Sequence, residues 1–381
     1  MNTSFQHLMA EATRLTRAGD LQAATVSIQA ALRGSGAAAP SGRDAGVIDV
    51  DVREVDGGDS DVQEAEARDI DVHGVDAAAV QAREAQADTL QRPTSPAGQF
   101  ITGSYTDAAG TRDYKLYLPP GGHGQALPLV VMLHGCTQNP DDFAAGTGMN
   151  DAALERGFFV LYPAQAQRAN PARCWNWFKH NHQRRGRGEP ALLAGMVREV
   201  MARHPIDPQR VYVAGLSAGG AMAAILGDAY PELFAAVGVH SGLPAGAASD
   251  LPSAFAAMKT GAASPAARAA AASAHTPPTI VFHGDQDGTV HPVNGEHVVA
   301  AKAAGASLEA SSGRSDNGRA YTRHHYCDAT GRTVAEHWVV HGAGHAWSGG
   351  STRGSYTDAA GPDATEEMLR FFFANTLHVE R

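Results

Sequence analysis

A series of short apolar runs, each ending in glycine or a polar turn, constrains this chain more than any other feature. The runs are Leu129 to Leu133, Phe158 to Tyr162, Val211 to Ala214, Ala236 to His240, Thr279 to Phe282 and Trp338 to Val340. Their apolar residues are continuous rather than alternating, as in strands buried on both faces. Between them lie helix-length stretches, notably Glu189 to His204, Ala218 to Tyr230, Val293 to Ala304 and Asp363 to Asn375. Such alternation predicts an α/β domain with a mostly parallel sheet and helices on both faces. Tyr114 to Leu118 alternates instead and stops at Pro119-Pro120, which reads as an edge strand.

The α/β texture covers residues 97–381, and two different pieces precede it. Phe5, Leu8, Ala12 and Leu15 recur at helical spacing, break at Gly19-Asp20, and resume with Leu21, Ala24, Ile28 and Leu32. This predicts a helical hairpin over 1–34, either an accessory pair packed on a domain or an element that recruits a granule or protein partner. Residues 35–96 carry an acidic excess. Between Ser41 and Arg92 fall 14 of the 40 acidic residues but only 5 of the 30 basic ones. Low apolar bulk and excess charge predict a disordered linker there, because burial cannot offset the ordering entropy. The net charge of −10 therefore belongs to one segment, and the chain lacks the basic face that a nucleic-acid binder needs. No run of about 18 apolar residues suggests a membrane span. Met1 to His7 lacks the basic and apolar stretches of a secretory signal, so the cytoplasm is the expected compartment.

The strongest chemical signal is Gly215-Leu216-Ser217-Ala218-Gly219, placed directly after the strand Val211–Ala214 and opening the helix from Ala218. A serine at a tight strand-to-helix turn stands clear of the sheet, and the helix N-terminus favours developing negative charge. A hydroxyl attacks a carbonyl only if a base takes its proton and an acid orients that base. The chain order Ser, Asp, His leaves two candidates for each partner. His345 lies in the Gly-rich loop after the last strand, and His341 at the strand end. Asp287 lies deeper in the turn after Thr279–Phe282 than Asp285, which is placed to cap that turn. His345 and Asp287 are the favoured pair. The oxyanion donors are the backbone N–H of Ala218 and that of Cys136, in the loop His134-Gly135-Cys136-Thr137-Gln138, where His134 reads as a brace. Such a mechanism needs no cofactor. His341 and His345 have the spacing of a zinc-binding helix, but Gly342 and Gly344 oppose a helix and no Glu completes the motif, so no metal is expected.

Five motifs in order carry a resemblance: His134-Gly135-Cys136-Thr137-Gln138, Cys174-Trp175-Asn176-Trp177-Phe178, Gly215-Leu216-Ser217-Ala218-Gly219-Gly220-Ala221-Met222, His283-Gly284-Asp285-Gln286-Asp287 and Gly344-His345-Ala346-Trp347. From about Phe100 to Phe373 the chain resembles the poly(3-hydroxybutyrate) depolymerase family of esterases, α/β-hydrolases related to feruloyl and acetylxylan esterases. The resemblance implies an α/β-hydrolase fold and hydrolysis of short-chain hydroxyacyl esters by Ser217, Asp287 and His345, with Cys136 at the oxyanion hole. Many polymer-degrading members are secreted and carry a polymer-binding domain, which makes an extracellular home the alternative. Without a recognisable surface-binding module, soluble oligomers or amorphous granules fit this chain better than crystalline polymer.

Three further readings remain. Trp175, Trp177 and Trp347 are expected to wall an acyl-binding cleft rather than only cover the core. Cys136 and Cys174 are either bridged across that cleft or, with Cys327, free thiols. The octapeptide Gly103 to Gly110 recurs identically as Gly354 to Gly361, and both copies read as turn-forming loops. Two rival functions stand beside the depolymerase-like one: a feruloyl or acetylxylan-type carbohydrate esterase, and a granule-associated scaffold with an inert hydrolase domain.

Overall fold

The computed structural model describes residues 98–121, 124–262 and 276–377. The hairpin expected over 1–34 and the linker over 35–96 lie outside them.

Twelve strands form among the described residues. They are β1 (Gln99–Asp107), β2 (Gly110–Leu118), β3 (Leu127–Leu133), β4 (Phe159–Pro163), β5 (Ile206–Leu216), β6 (Ala236–His240), β7 (Thr279–Gly284), β8 (Ser307–Arg314), β9 (Ala320–Cys327), β10 (Thr333–Val340), β11 (Trp347–Ser348) and β12 (Thr357–Asp358). The first ten make one sheet in the order β1-β2-β4-β3-β5-β6-β7-β10-β9-β8. The strands from β4 to β10 in that order run parallel, while β1-β2 and β9-β8 flank them as antiparallel pairs. Tyr114–Leu118 is thus not the edge. β1 pairs along all of β2 and takes that place; its polar, half-exposed sequence gave no apolar period to read.

The helices are α1 (Pro140–Thr147), α2 (Met149–Arg156), α3 (Gly188–Arg203), α4 (Ala218–Ala229), α5 (Leu251–Thr260), α6 (Val293–Ala300) and α7 (Ala364–Phe373). The continuous apolar strands are explained by two cores. Leu129, Val131 and Leu133 of β3 pack with Leu193 and Val197 of α3 and Met222 and Ile225 of α4. Val130 and Met132 point the other way, among Phe143, Met149, Met368 and Phe372 from α1, α2 and α7. Period-two side chains feeding two buried layers leave no polar face on a central strand. No helix among the described residues is long and apolar enough to cross a membrane.

Candidate active site

In the parallel strands the chain direction is shared, so the loops after β3, β5, β6, β7 and β10 open at one edge of the sheet. All the sequence-predicted site residues sit on those loops or on the Cys174 loop bonded to them.

Ser217 joins β5 to α4 with φ +58° and ψ −119°, a conformation strained for a residue with a side chain. Its N–H donates to His240 O at 2.8 Å, and its carbonyl accepts Ala221 N–H at 2.9 Å as the first helical bond. The turn closes because its neighbours are small. A Cβ on Gly219 would lie 2.0 Å from Leu133 O. Ala218 N–H, in the first turn, has no acceptor within the helix.

The oxyanion loop backs onto this serine: a Cβ built on Gly135 would stand 3.7 Å from Ser217 Cβ. Gly135 N–H donates to Gln138 Oε1 at 2.9 Å, Thr137 N–H to Ala172 O at 2.7 Å, and Gln138 N–H to Gly135 O at 3.3 Å. His134 braces the loop from beneath. Its Nε2 accepts Gln165 N–H at 3.1 Å, which fixes Nδ1–H as the donor to Gly135 O at 2.7 Å. Burial pushes this imidazole down to about 4, so it stays neutral. Cys136 and Cys174 are joined by a disulfide, which ties the oxyanion loop to the loop of Trp175.

Asp287 and His345 meet. Nδ1–H of His345 donates to Asp287 Oδ2 at 2.7 Å. Asp287 Oδ1 takes Thr289 N–H and Val290 N–H, both at 2.9 Å. Burial opposes ionisation of Asp287, but hydrogen bonds from His283 and His345, the His345 charge and the Val290 N–H more than offset it and hold the carboxyl far below the usual range. The loops of acid and base are stitched together by Asp285 N–H to Val340 O at 3.1 Å and Gln286 N–H to Ala343 O at 3.0 Å. A Cβ on Gly284 would lie 2.3 Å from Ala343 O, so only glycine permits this approach. The rivals Asp285 and His341 also pair, at 3.0 Å, but at the rim. Instead of capping its own turn, Asp285 accepts Gly342 N–H at 2.7 Å.

The tryptophans are a correction. Trp175, Trp177 and Trp347 are buried in the cores rather than walling an open cleft. Trp175 Nε1–H donates to His134 O at 3.1 Å. Trp177 packs edge-on against Phe178. Trp347 stacks on His240 and donates to Thr365 Oγ1 at 3.0 Å. Packing an indole between loops buries its large apolar face while its N–H keeps a partner.

Sequence reasoning missed His240 and Tyr356. His240 is fully buried beneath the site, accepts Ser348 N–H on Nε2 at 2.9 Å, and is held neutral by burial; its position at the end of β6 was the available signal. Tyr356 is exposed beside the oxyanion loop, its hydroxyl 3.2 Å from Thr137 Oγ1. Among the described residues, no three His, Cys, Asp or Glu side chains converge as metal ligands.

Comparisons with known proteins place the chain in a family. Residues 112–317, more than half of the chain, match the family described as Esterase PHB depolymerase. The chain is 34% identical over 234 residues to poly(3-hydroxyalkanoate) depolymerase C of Paucimonas lemoignei, covering 59% of this chain and 56% of that protein. It is 30% identical over 268 residues to poly(3-hydroxybutyrate) depolymerase of Ralstonia pickettii (65% and 54%), and 32% identical over 164 residues to probable acetylxylan esterase A of Aspergillus fumigatus (42% and 42%). The chain thus spans about half the length of the curated relatives it matches. In fold it is similar to acetyl xylan esterase from Aspergillus awamori, with a TM-score of 0.57 and 20% identity over 72% of this chain and 99% of that one. The fold is that of an α/β-hydrolase. On the profile match over residues 112–317, the chain belongs to the Esterase PHB depolymerase family.

Proposed function

We propose that this protein is a serine esterase that hydrolyses short-chain hydroxyacyl esters, poly(3-hydroxybutyrate) or its oligomers, through an acyl-enzyme. The observation that carries the reading is the 2.7 Å bond from His345 to a buried, ionised Asp287 on the sheet edge where Ser217 occupies a strained elbow. Ser217 Oγ attacks the ester carbonyl and gives its proton to His345 Nε2. Asp287 holds the opposite Nδ1–H and stabilises the imidazolium. The carbonyl oxygen, now negative, is received by Ala218 N–H and by Cys136 N–H, which lies between the loop amides of Gly135 and Thr137 that are engaged in the bonds above. His345 then protonates the leaving alkoxide, and water activated by the same imidazole releases the acid. Hydrolysis of a chromogenic butyrate ester tests this: Ser217→Ala is expected to lose about 10³-fold or more in kcat, and equal rates would reject the mechanism.

The second reading, an acetyl- or feruloyl-removing carbohydrate esterase, is favoured by the likeness to acetylxylan esterase A. Rates on 3-hydroxybutyrate oligomers against methyl ferulate and acetylated xylan separate the two. A granule or protein partner for residues 1–34 is tested by deleting residues 1–96: soluble-ester activity is expected to survive while localisation changes. We also propose an oxidising compartment on the strength of the Cys136–Cys174 bridge. Titration of the denatured, unreduced chain is expected to find Cys327 alone as a thiol; three thiols would reject it.

A further inference from the structure

Tyr356 carries a side chain at this edge that neither the core nor the triad uses. Its ring is 47% exposed, yet its backbone sits at φ +52°, a left-handed conformation strained for a bulky side chain. An exposed ring gains little burial to offset that strain. The backbone is nonetheless held from both sides. Ser355 donates its N–H and hydroxyl to Asp142 at 2.8 and 2.6 Å, and Gln138 Nε2–H donates to Ser355 O at 3.1 Å. Beyond the ring, Trp347 N–H donates to Tyr356 O at 2.7 Å, and Thr357 pairs with Trp347 in the β11-β12 ladder. Gln138 belongs to the loop of Cys136, and Trp347 follows His345 by two residues. Tyr356 is therefore fixed between the loop of the oxyanion donor and the loop of the base.

The phenol has a replaceable partner. Thr137 commits its own hydroxyl proton to Cys136 O at 2.6 Å, so the phenol O–H is the donor in the 3.2 Å contact with Thr137 Oγ1. That distance is long for a bond between hydroxyls, and the site is open to solvent, so a better-placed acceptor displaces it. An ester with its carbonyl oxygen on Cys136 N–H and its leaving oxygen facing His345 lies across both loops. A side chain fixed between them borders it.

We propose that Tyr356 is a specificity-determining residue of this esterase. Its ring covers the alkyl part of the bound ester, and its phenol O–H donates to a second substrate oxygen, a hydroxyl or ester carbonyl a few bonds from the scissile carbonyl. The inference rests on the esterase reading above and assigns to one residue the preference for acyl esters oxygenated at a second position over plain acyl esters.

The test compares kcat/KM for the 4-nitrophenyl ester of a 3-hydroxybutyrate dimer with that for 4-nitrophenyl butyrate. Tyr356→Phe keeps the ring and removes the donor. Tyr356→Gly removes the ring and suits the left-handed backbone, so it is expected to fold. The ratio should fall about three- to tenfold in Tyr356→Phe, the worth of one neutral hydrogen bond. It should fall further in Tyr356→Gly, with the change mainly in KM. Ratios within about twofold of wild type in both variants would overturn the inference. Ser217→Ala, assayed in parallel, keeps the two conclusions apart: a wild-type rate there defeats the esterase reading, whereas its loss with unchanged Tyr356 ratios defeats only the assignment of Tyr356.

Discussion

Two Asp–His pairs occupy the same two loops, their aspartates two residues apart and their histidines four, and they differ in nearly everything that matters to chemistry. The side chains of Asp285 and His341 are 33% and 42% exposed, while those of Asp287 and His345 are 0% and 12% exposed. His341 spends its second ring nitrogen on Thr322 Oγ1 at 2.8 Å. Asp287 is locked by two backbone N–H groups within its turn, whereas Asp285 clips the neighbouring loop through Gly342. An exposed ion pair is screened and contributes at most about 1 kcal/mol. A buried carboxylate held by three hydrogen bonds is a fixed anion that sets the tautomer of its histidine. Depth below the rim, not residue type, separates this surface clasp from the pair proposed to act in catalysis.

Substitutions at the four positions test that contrast directly. The largest effect is expected from His345→Ala, with kcat for a butyrate ester reduced about 10³- to 10⁴-fold, against a change of about threefold or less for His341→Ala. Comparable losses in both would break the comparison. Next comes Asp287→Asn, expected to cost about 10²- to 10⁴-fold by leaving the imidazole in the wrong tautomer, while Asp285→Asn is expected to destabilise the fold by less than about 1 kcal/mol and spare kcat.

A smaller, sharper difference lies in the pH dependence of stability. The carboxyl of Asp287 is depressed below its ordinary 3.8 in the fold. The unfolded chain therefore binds the proton first, so this stability is full above pH 3.8 and drains as pH falls below it. His134 acts in the same direction at higher pH. It is neutral in the fold down to about 4 but protonates near 6.5 when unfolded, so stability falls as pH drops from 6.5 toward 4. Chemical denaturation between pH 7 and 3 should show both declines in the wild type. The drop below 3.8 should be flatter in Asp287→Asn and nearly unchanged in Asp285→Asn.

Much of this was legible in the chain. The parallel strands were readable because side chains buried in two layers leave uninterrupted apolar runs, and α3, α4 and α7 because their apolar faces are long. The helices α1 and α2 have eight residues each, too few for periodicity to stand out, and α1 is announced mainly by its cap, Asn139 Oδ1 accepting Asp142 N–H at 3.0 Å. Ser217 was legible from the strand before it and the helix after it. For acid and base the sequence offered two of each and favoured the pair that the fold buries. The tryptophans misled because an aromatic loop reads the same whether its rings face a cleft or a core.

The repeated octapeptide separates the two kinds of information. In both copies the aspartate accepts the N–H two residues ahead, Asp107 from Ala109 at 2.7 Å and Asp358 from Ala360 at 3.2 Å. That turn spans three residues and needs nothing beyond them. The tyrosines diverge. Tyr105 lies extended in β1 opposite Arg112, in a copy that is strand as much as turn, and packs against the core beside α3. Tyr356 is held at a positive φ with its ring outward. Identical neighbours cannot choose between these states. The first copy pairs with β2, the strand that comes next, and the second is clamped by Asp142 and Trp347, partners far away in the chain. Local hydrogen bonding is written in the amino-acid order, whereas the sign of φ at Tyr356 and the depth of Asp287 depend on contacts that exist only after the sheet has assembled.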